Sequence, residues 1–512
     1  MARYADTVFL NGRLWSPDAL PEGADALAVI DGRIAALGTS GRIRTWANWT
    51  TETVDLGGRT LMPGFIDAHT HLVTDGLQAS GLHLDLAETE SLEDVTDQVR
   101  QAARSRDAGQ WIRGRGWDES RWDDARYLTR EDLDDAAPDH PVALSRVDGH
   151  LLAVNSRALA SIDAGEDSSV VDSTQGLLRE QAAWAFLEAI PLTDDEIATA
   201  IHAGTDKAHS LGITAIHDIV DADRVRVYQQ LHRRGELGLR VRLNPLVQHL
   251  ADLEGVGLGS EFGDDWLRLG AIKYFADGSL GARNAALEEA YTDDSATTGE
   301  LNYDQSALHG LVQQAHDAGF QMMLHAIGDR AIDAALLALE AADVGPEDRA
   351  RIEHLELPTA NHLHRMAERG IVASMQPNFL QWSGPSGMYV ERLGTDRDAR
   401  IDPHRDVLDA GVPLAFGSDT MPIGPLYGLS LAVNAPHNGQ RLTADEALRA
   451  YTSGAAHVGF ADTRCGTLQS GALADLIVLS DDPTALKPTD VGQLQVEATY
   501  VNGQRVSSAA AP

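Results

Sequence analysis

Cysteine is almost absent: Cys465 is the only one in 512 residues. That excludes an internal disulfide framework and any Cys-rich zinc or iron–sulfur site. Lysine is nearly as scarce. Only Lys207, Lys273 and Lys487 occur among 41 basic residues, so arginine is the default cation and a lysine in an apolar context needs its own explanation. Positive charge as a whole is in short supply, with 41 Lys and Arg against 77 Asp and Glu and a formal charge of −36. Phosphate backbones and anionic lipid surfaces are bound through Lys and Arg stripes, so neither a nucleic-acid nor a membrane role is expected. No apolar run of about 18 residues appears, and the start, MARYADTVFLNGRLW, carries neither a basic n-region nor an apolar h-region. The expectation is a soluble, cytoplasmic protein that acts on a small molecule, with a homodimer as the default assembly.

What is present is a β-rich texture at both ends and an α/β pattern between them. Residues 1–60 alternate short β-type runs (DTVFLNGRLW, ALAVIDGRIAALG) with Gly- and Asp-containing turns, and 461–512 repeat that texture in GALADLIVLS and ATYVNGQRV. This predicts one small β-sandwich-like domain assembled from both termini. Residues 61–460 hold eight short apolar runs suited to buried parallel strands, at 62–70, 212–220, 240–247, 269–278, 320–329, 349–356, 370–377 and 412–419. Amphipathic stretches such as SALHGLVQQAHDAG follow some of them. Eight such units predict an α/β fold of the (β/α)8 TIM-barrel class. The gap at 73–211 far exceeds an ordinary βα connection. It predicts an insertion over the barrel mouth, where βα connections emerge.

The first run ends in Asp67-Ala68-His69-Thr70-His71, and period 2 points both histidines to one side, where they can grip one metal ion. An HxH pair alone also arises by chance among 19 histidines. The ends of other runs carry ligand-type residues as well: His325, His354 and Asp419. Core packing explains each histidine singly, but not their shared placement at one rim. Lys273 lies in the apolar run Ala271-Ile272-Lys273-Tyr274-Phe275-Ala276. A buried ammonium is costly unless neutral, paired or modified. One reading pairs it with Asp277 or another rim acid. The other lowers its amine toward neutrality so that it adds carbon dioxide and bridges two metal ions as a carbamate.

Taken together, HxH at 69–71, Lys273, His325, His354 and Asp419 resemble the binuclear amidohydrolase superfamily. The motifs from Lys273 to Gly281, Leu324-His325-Ala-Ile-Gly328-Asp329 and Ile352-Glu353-His354 are similar to its N-substituted formamide deformylase-like subgroup. The resemblance implies that His69 and His71 bind the more buried metal, His325 and His354 the more exposed one, that carbamylated Lys273 bridges both, and that Asp419 binds the first. It implies two zinc ions, with manganese, iron or cobalt as substitutes, and carbon dioxide as the lysine carbamate. The implied reaction is hydrolysis of a non-peptide amide C–N bond, in an N-substituted formamide or N-acyl amine, by a metal-bridging hydroxide. Lys273 and Asp419 are then the catalytic residues, with Asp419 shuttling the proton. Deaminases of the superfamily typically carry HxxE at His325, whereas position 328 is glycine here. Lactonase, esterase, cyclic-amide hydrolase and deaminase activities on the same metal site stay open, as does a catalytically silent scaffold.

On the substrate side, the insertion carries Gly114-Arg115-Gly116-Trp117-Asp118-Glu119, Ser145-Arg146-Val147-Asp148-Gly149-His150 with Asn155, and Gly176-Leu177-Leu178-Arg179-Glu180. Trp117 is expected as an apolar wall, with Arg146, His150 and Asn155 bonding a polar group. The alternative is that the acids, the arginines and Asn155 of these stretches pin the insertion to the barrel. Asp277, Gln376 and Asn378, with Trp382, are further rim candidates. His83, His140, His202, His209, His362 and His364 are expected at the surface, His217 in a structural role, and Cys465 in packing.

Overall fold

A computed structural model describes residues 4–123, 125–147, 151–163 and 170–508. The chain forms two compact units, one of Met1–His71 with Thr205–Pro512 and one of Leu72–Gly204.

The first unit is built on two parallel sheets. One contains β1 (Phe65–Thr70), β2 (Ile213–Val220), β3 (Arg240–Pro245) and β4 (Leu267–Leu269), each paired with the next. The other contains β5 (Ile272–Phe275), β6 (Met322–Ala326), β7 (Arg351–His354), β8 (Val372–Met375) and β9 (Leu414–Phe416). A parallel bridge between Leu246 and Lys273 joins the sheets at one seam. At the other, the Asp419 amide donates to the His69 carbonyl at 2.8 Å. The result is a TIM-barrel-like α/β arrangement with eight strand positions.

Each of the eight apolar runs contains strand, but the run at 269–278 differs from expectation. Its position is shared by β4 and β5, broken at Gly270 and Ala271. There the Asn244 side chain takes the place of the ladder, accepting from the Ala271 amide at 2.9 Å. A Cβ on Gly270 would lie 2.4 Å from that same Asn244 oxygen, so only glycine fits the break. β6 to β9 are buried along their whole length, as strands covered on both faces must be. The helix Gln305–Asp317 buries Leu308, Val312 and Ala315, one stripe at helical spacing.

Two further sheets come from the ends of the chain, the first from N-terminal residues alone and the second from both ends. One runs Arg33–Gly38, Ala26–Ile30, Thr7–Leu10, Glu52–Asp55, and the other Arg13–Leu14, Thr60–Pro63, Leu476–Leu479, Val496–Val501, Gln504–Ser508. Phe9, Leu27 and Val29 of the first share a core with Leu61, Leu476 and Tyr500 of the second. Thr60–Pro63 runs through Gly64 directly into β1.

The second unit begins one residue before the expected 73 and ends at 204 rather than 211. The helix Asp194–Ser210 crosses that boundary, and in its last turn the His209 ring bonds to the Gly238 carbonyl at 3.0 Å, both within the first unit. This unit holds a six-stranded sheet in the order Val171–Asp172, Leu177–Arg179, Leu151–Val154, Val142–Arg146, Ile112–Trp117, His83–Asp85. No helix among the described residues is long and apolar enough to cross a membrane.

Candidate metal centre

The site begins with Asp67, His69 and His71, at alternate positions where β1 ends. Asp67 Oδ1 accepts from its own strand at the His69 amide, 3.2 Å, and from the Ser418 amide beyond β9, 2.9 Å. Gly417 makes this close approach possible, since a Cβ there would lie 2.5 Å from the His69 nitrogen. The chain then turns through two consecutive left-handed residues, Asp419 (φ 52°) and Thr420 (φ 55°). Backbone of this kind is costly for non-glycine residues and concentrates at functional sites. It brings Asp419 Oδ1 to 3.3 Å from His69 Nε2 and 3.1 Å from His71 Nε2.

His354 reaches the site by a similar distortion. Neighbouring strand residues point to opposite faces, yet both Glu353 and His354 contact His69. The left-handed φ of 71° at His354, followed by 50° at Leu355, turns its ring inward. The His354 ring centroid lies 4.9 Å from that of His69 and 4.5 Å from that of His325.

Second partners fix which nitrogen of each imidazole is free. His69 Nδ1 lies 2.5 Å from Glu353 Oε2, His354 Nδ1 lies 2.8 Å from Gln376 Oε1, and His325 Nε2 lies 3.0 Å from the Gly278 carbonyl. Each of these nitrogens faces an acceptor and must carry the proton. The lone pairs are therefore on Nε2 of His69, Nε2 of His354 and Nδ1 of His325. Burial, helped by the nearby Lys273 ammonium, lowers the pKa of His325 to about 3 and that of His354 well below its ordinary value, so both rings stay neutral, as ligands must be.

Glu353 anchors the group from below. Its carboxylate accepts from the Arg351 guanidinium and, at 2.9 Å, from Ser374 Oγ. Arg351 also donates to the Ala68 carbonyl at 2.6 Å and to His217 Nδ1 at 3.1 Å. Burial would raise the Glu353 pKa, but Arg351 and His69 hold it below the usual carboxylate range. Lys273 is the opposite case. Its ammonium is buried with no hydrogen-bond partner, 4.7 Å from the centre of the Phe275 ring. Burial pushes its pKa down to about 8, against the attraction of Glu353 and Asp419.

These groups fit a cation. The candidate ligand atoms of His69, His71 and Asp419 lie within 4.8 Å of one another. His69 Nε2 and His71 Nε2 converge on one oxygen of the Asp419 carboxylate, an arrangement of nitrogen and oxygen donors that suits one cation. The alternative pairing of Lys273 with Asp277 does not occur. Asp277 instead accepts from three backbone amides, Ala286 at 2.9 Å, Ile327 at 3.1 Å and Gly328 at 2.9 Å.

Several expected substrate contacts are corrected by their surroundings. Asp277 ties loops together behind His325, and Gln376 orients His354. Asn378 is buried, donating to the Pro422 carbonyl at 2.5 Å and accepting from the Tyr451 hydroxyl at 3.3 Å. Trp117 is fully buried in the core of its own unit, stacked on Trp122, with Nε1 donating to the Leu144 carbonyl at 2.9 Å. Asn155 caps the helix Ser156–Ser161 and also bonds the Val142 amide and the His140 carbonyl. Arg146 is paired with Glu119 at 2.8 Å and Asp118 at 3.4 Å, both within its own unit. His150 lies outside the described residues. Of the histidines expected at the surface, His140, His209 and His362 are buried, and each bonds to backbone: His140 to the Gln110 carbonyl, His209 to the Gly238 carbonyl, and His362 to the Thr359 amide. His217 is structural and Cys465 is packed, its thiol pushed up to about 12 by burial.

Sequence reasoning missed Asp67, Arg351, Glu353, Ser374 and Gly417 as supports of the site. A signal for two of them exists: Arg351 and Glu353 are alternate charges in an otherwise apolar strand, where burial demands a partner.

Comparison with known proteins places this geometry in context. The sequence pattern of the Amidohydrolase family matches residues 52–507. The putative amidohydrolase YtcJ of Bacillus subtilis is 30% identical over 95% of this chain and 97% of its own. The N-substituted formamide deformylase of Arthrobacter pascens is 28% identical over 98% of each. The crystal structure of an uncharacterized metal-dependent hydrolase from Pyrococcus furiosus has a TM-score of 0.83 at 31% identity, covering 93% of this chain and 99% of that one. The matched span takes in every candidate ligand, and the chain belongs to the amidohydrolase family of metal-dependent hydrolases.

Proposed function

We propose that the protein hydrolyses the C–N bond of a non-peptide amide, an N-substituted formamide or N-acyl amine, at a centre of two divalent ions of the zinc class. His69, His71 and Asp419 would hold one ion and His325 and His354 the other, with Lys273 bridging both as a carbamate. When bound, the ions supply Lewis acidity to the substrate carbonyl and to water.

The chain's own groups then have defined tasks. Asp419, on the strained turn after β9, accepts a proton from the attacking water on a carboxylate oxygen and returns it to the departing nitrogen. Glu353 and Gln376 keep His69 and His354 in the tautomers that leave Nε2 free. Phe275, a residue 38% exposed whose ring lies beside that of His325, offers an apolar face to the substrate. Gly328 favours amide hydrolysis over deamination, because a Cβ there would lie 1.9 Å from the Ala286 carbonyl and no glutamate can occupy it.

The buried, partnerless amine of Lys273 carries this reading. Elemental analysis of protein purified without chelator tests it. We expect about two equivalents of transition metal in the wild type and at most one in Lys273→Met, with hydrolysis of N-formyl or N-acyl amines lost in the variant. One equivalent in both proteins would overturn the bridged centre.

A further inference from the structure

The rim of the barrel holds a second cluster of buried oxygens that the hydrolytic centre does not use. Glu356 lies two residues beyond His354. Its backbone carbonyl accepts from the Asp402 amide at 2.9 Å, which sets the two residues side by side. Both are essentially inaccessible, at 3% and 1% exposure. Around them are Leu280, Tyr291, Leu357, Ile401 and Tyr389, members of one apolar cluster.

Other buried acids of this unit receive donors from the fold. Asp277 has three amides. Asp398 has the Ser383 hydroxyl, the Gly384 amide and His437. Asp475 has Arg240 and the Asn502 amide. Glu353 has Arg351, His69 and Ser374. Glu356 Oε2 and Asp402 Oδ2, by contrast, are buried with no hydrogen-bond partner. The Tyr389 hydroxyl, on a residue only 1% exposed, is directed at Glu356 and lies within electrostatic reach of Asp402. Each carboxyl is opposed by burial, and further by neighbouring acids: Asp277 and Asp419 for Glu356, Glu356 and Asp398 for Asp402.

Two carboxylates and a phenolic oxygen in one apolar pocket, with no arginine, lysine or amide directed at them, form the donor set of a hard cation. Oxygen ligands of this kind suit calcium or magnesium and not the softer metals drawn to imidazole. Two negative charges balance one divalent ion. We propose that Glu356, Asp402 and Tyr389 bind an alkaline-earth ion of the calcium class, separate from the histidine centre, which fastens the segment carrying Tyr389 and Asp402 to the end of β7. The proposal is independent of which bond the enzyme cleaves.

The competing arrangement is a proton shared between the two carboxyls, and the test separates the two. Full-length protein with its transition metals in place is equilibrated with calcium or with magnesium, desalted and analysed for metals, and its thermal unfolding is recorded with and without each ion. The proposal expects about one equivalent of calcium retained by the wild type and an upward Tm shift of roughly 2 °C or more. In Glu356→Gln and Asp402→Asn both signals are lost, while transition-metal content is unchanged, which shows that the variants are folded. Tyr389→Phe, which removes one oxygen and little volume, weakens calcium retention without abolishing it. Three results would overturn the proposal: no retained calcium or magnesium and no Tm shift in the wild type, retention equal in wild type and variants, or a Tm raised by Glu356→Gln in the absence of added ions. The last is the signature of the shared proton.

Discussion

Replacing Glu353 by glutamine tests the support of the metal centre most directly, because the change keeps size and removes only charge. Oε1 accepts from Arg351, and Oε2 accepts from His69, Ser374 and Arg351. An amide cannot satisfy both sides. With its oxygen toward His69 its NH2 confronts the Arg351 guanidinium, and with the opposite flip it confronts the proton on His69 Nδ1. Arg351 is 0% exposed and loses its only carboxylate partner among the described residues. Breaking a buried pair in this way costs about 3–5 kcal/mol, measurable by denaturant titration of metal-free protein. Loss of the carboxylate behind a metal-binding histidine typically weakens metal affinity about 10–100-fold, measurable by competition with a chromogenic chelator. The two effects separate in the double variant Glu353→Gln/Arg351→Met. Removing the orphaned guanidinium should recover part of the stability, while metal affinity stays low because His69 still lacks its anionic partner. Wild-type metal affinity in Glu353→Gln would refute the role assigned to Glu353. A double variant no more stable than the single one would refute the uncompensated-charge argument.

Gly417→Ala places a methyl 2.5 Å from the His69 nitrogen, and overpacking of this kind costs about 1–3 kcal/mol. The expected outcome is a lowered Tm together with impaired metal binding, read by thermal unfolding and elemental analysis. In metal-free protein, burial holds the Lys273 pKa at about 8 against an ordinary 10.5. The unfolded chain therefore binds the extra proton between those values, and stability rises as pH rises from about 8 to about 10.5. The gain is on the order of 3 kcal/mol, and a difference curve between wild type and Lys273→Met should show it as a slope confined to that window. Asn155→Ala removes a helix cap and two further bonds, so it should cost about 2 kcal/mol or more of stability. It should leave KM unchanged, and a raised KM at intact stability would restore Asn155 as a substrate contact.

The sequence carried the strand positions and the ligand-type residues at their ends because both depend on local signals: short apolar runs and the identity of the residue that follows each. His69, His325, His354 and Asp419 were all legible in this way. The supporting residues were less so. Glu353 was hidden by strand periodicity, which forbids adjacent residues from sharing a face unless the backbone turns left-handed, and that turn at His354 has no glycine to announce it. Gly417 was visible only as one of 47 glycines. Trp117 and Asn155 misled because an aromatic and an amide in an insertion read equally well as substrate contacts or as core and cap. Only burial and bonding partners separate the two. The break between β4 and β5 was invisible for a related reason, since a side-chain oxygen from β3 completes the ladder there.

The sheet that joins the two ends of the chain also sets the order in which the enzyme can be completed during synthesis. Thr60–Pro63 pairs with Leu476–Leu479 and leads through Gly64 into the strand that bears His69. Roughly 400 residues must be translated between those partners, which takes about 20–80 s at ordinary ribosomal rates. For that interval the strand leading to the first two histidines has one edge unpaired on the nascent chain, exposed to mispairing and to chaperones. Metal capture should therefore follow release from the ribosome and not accompany elongation.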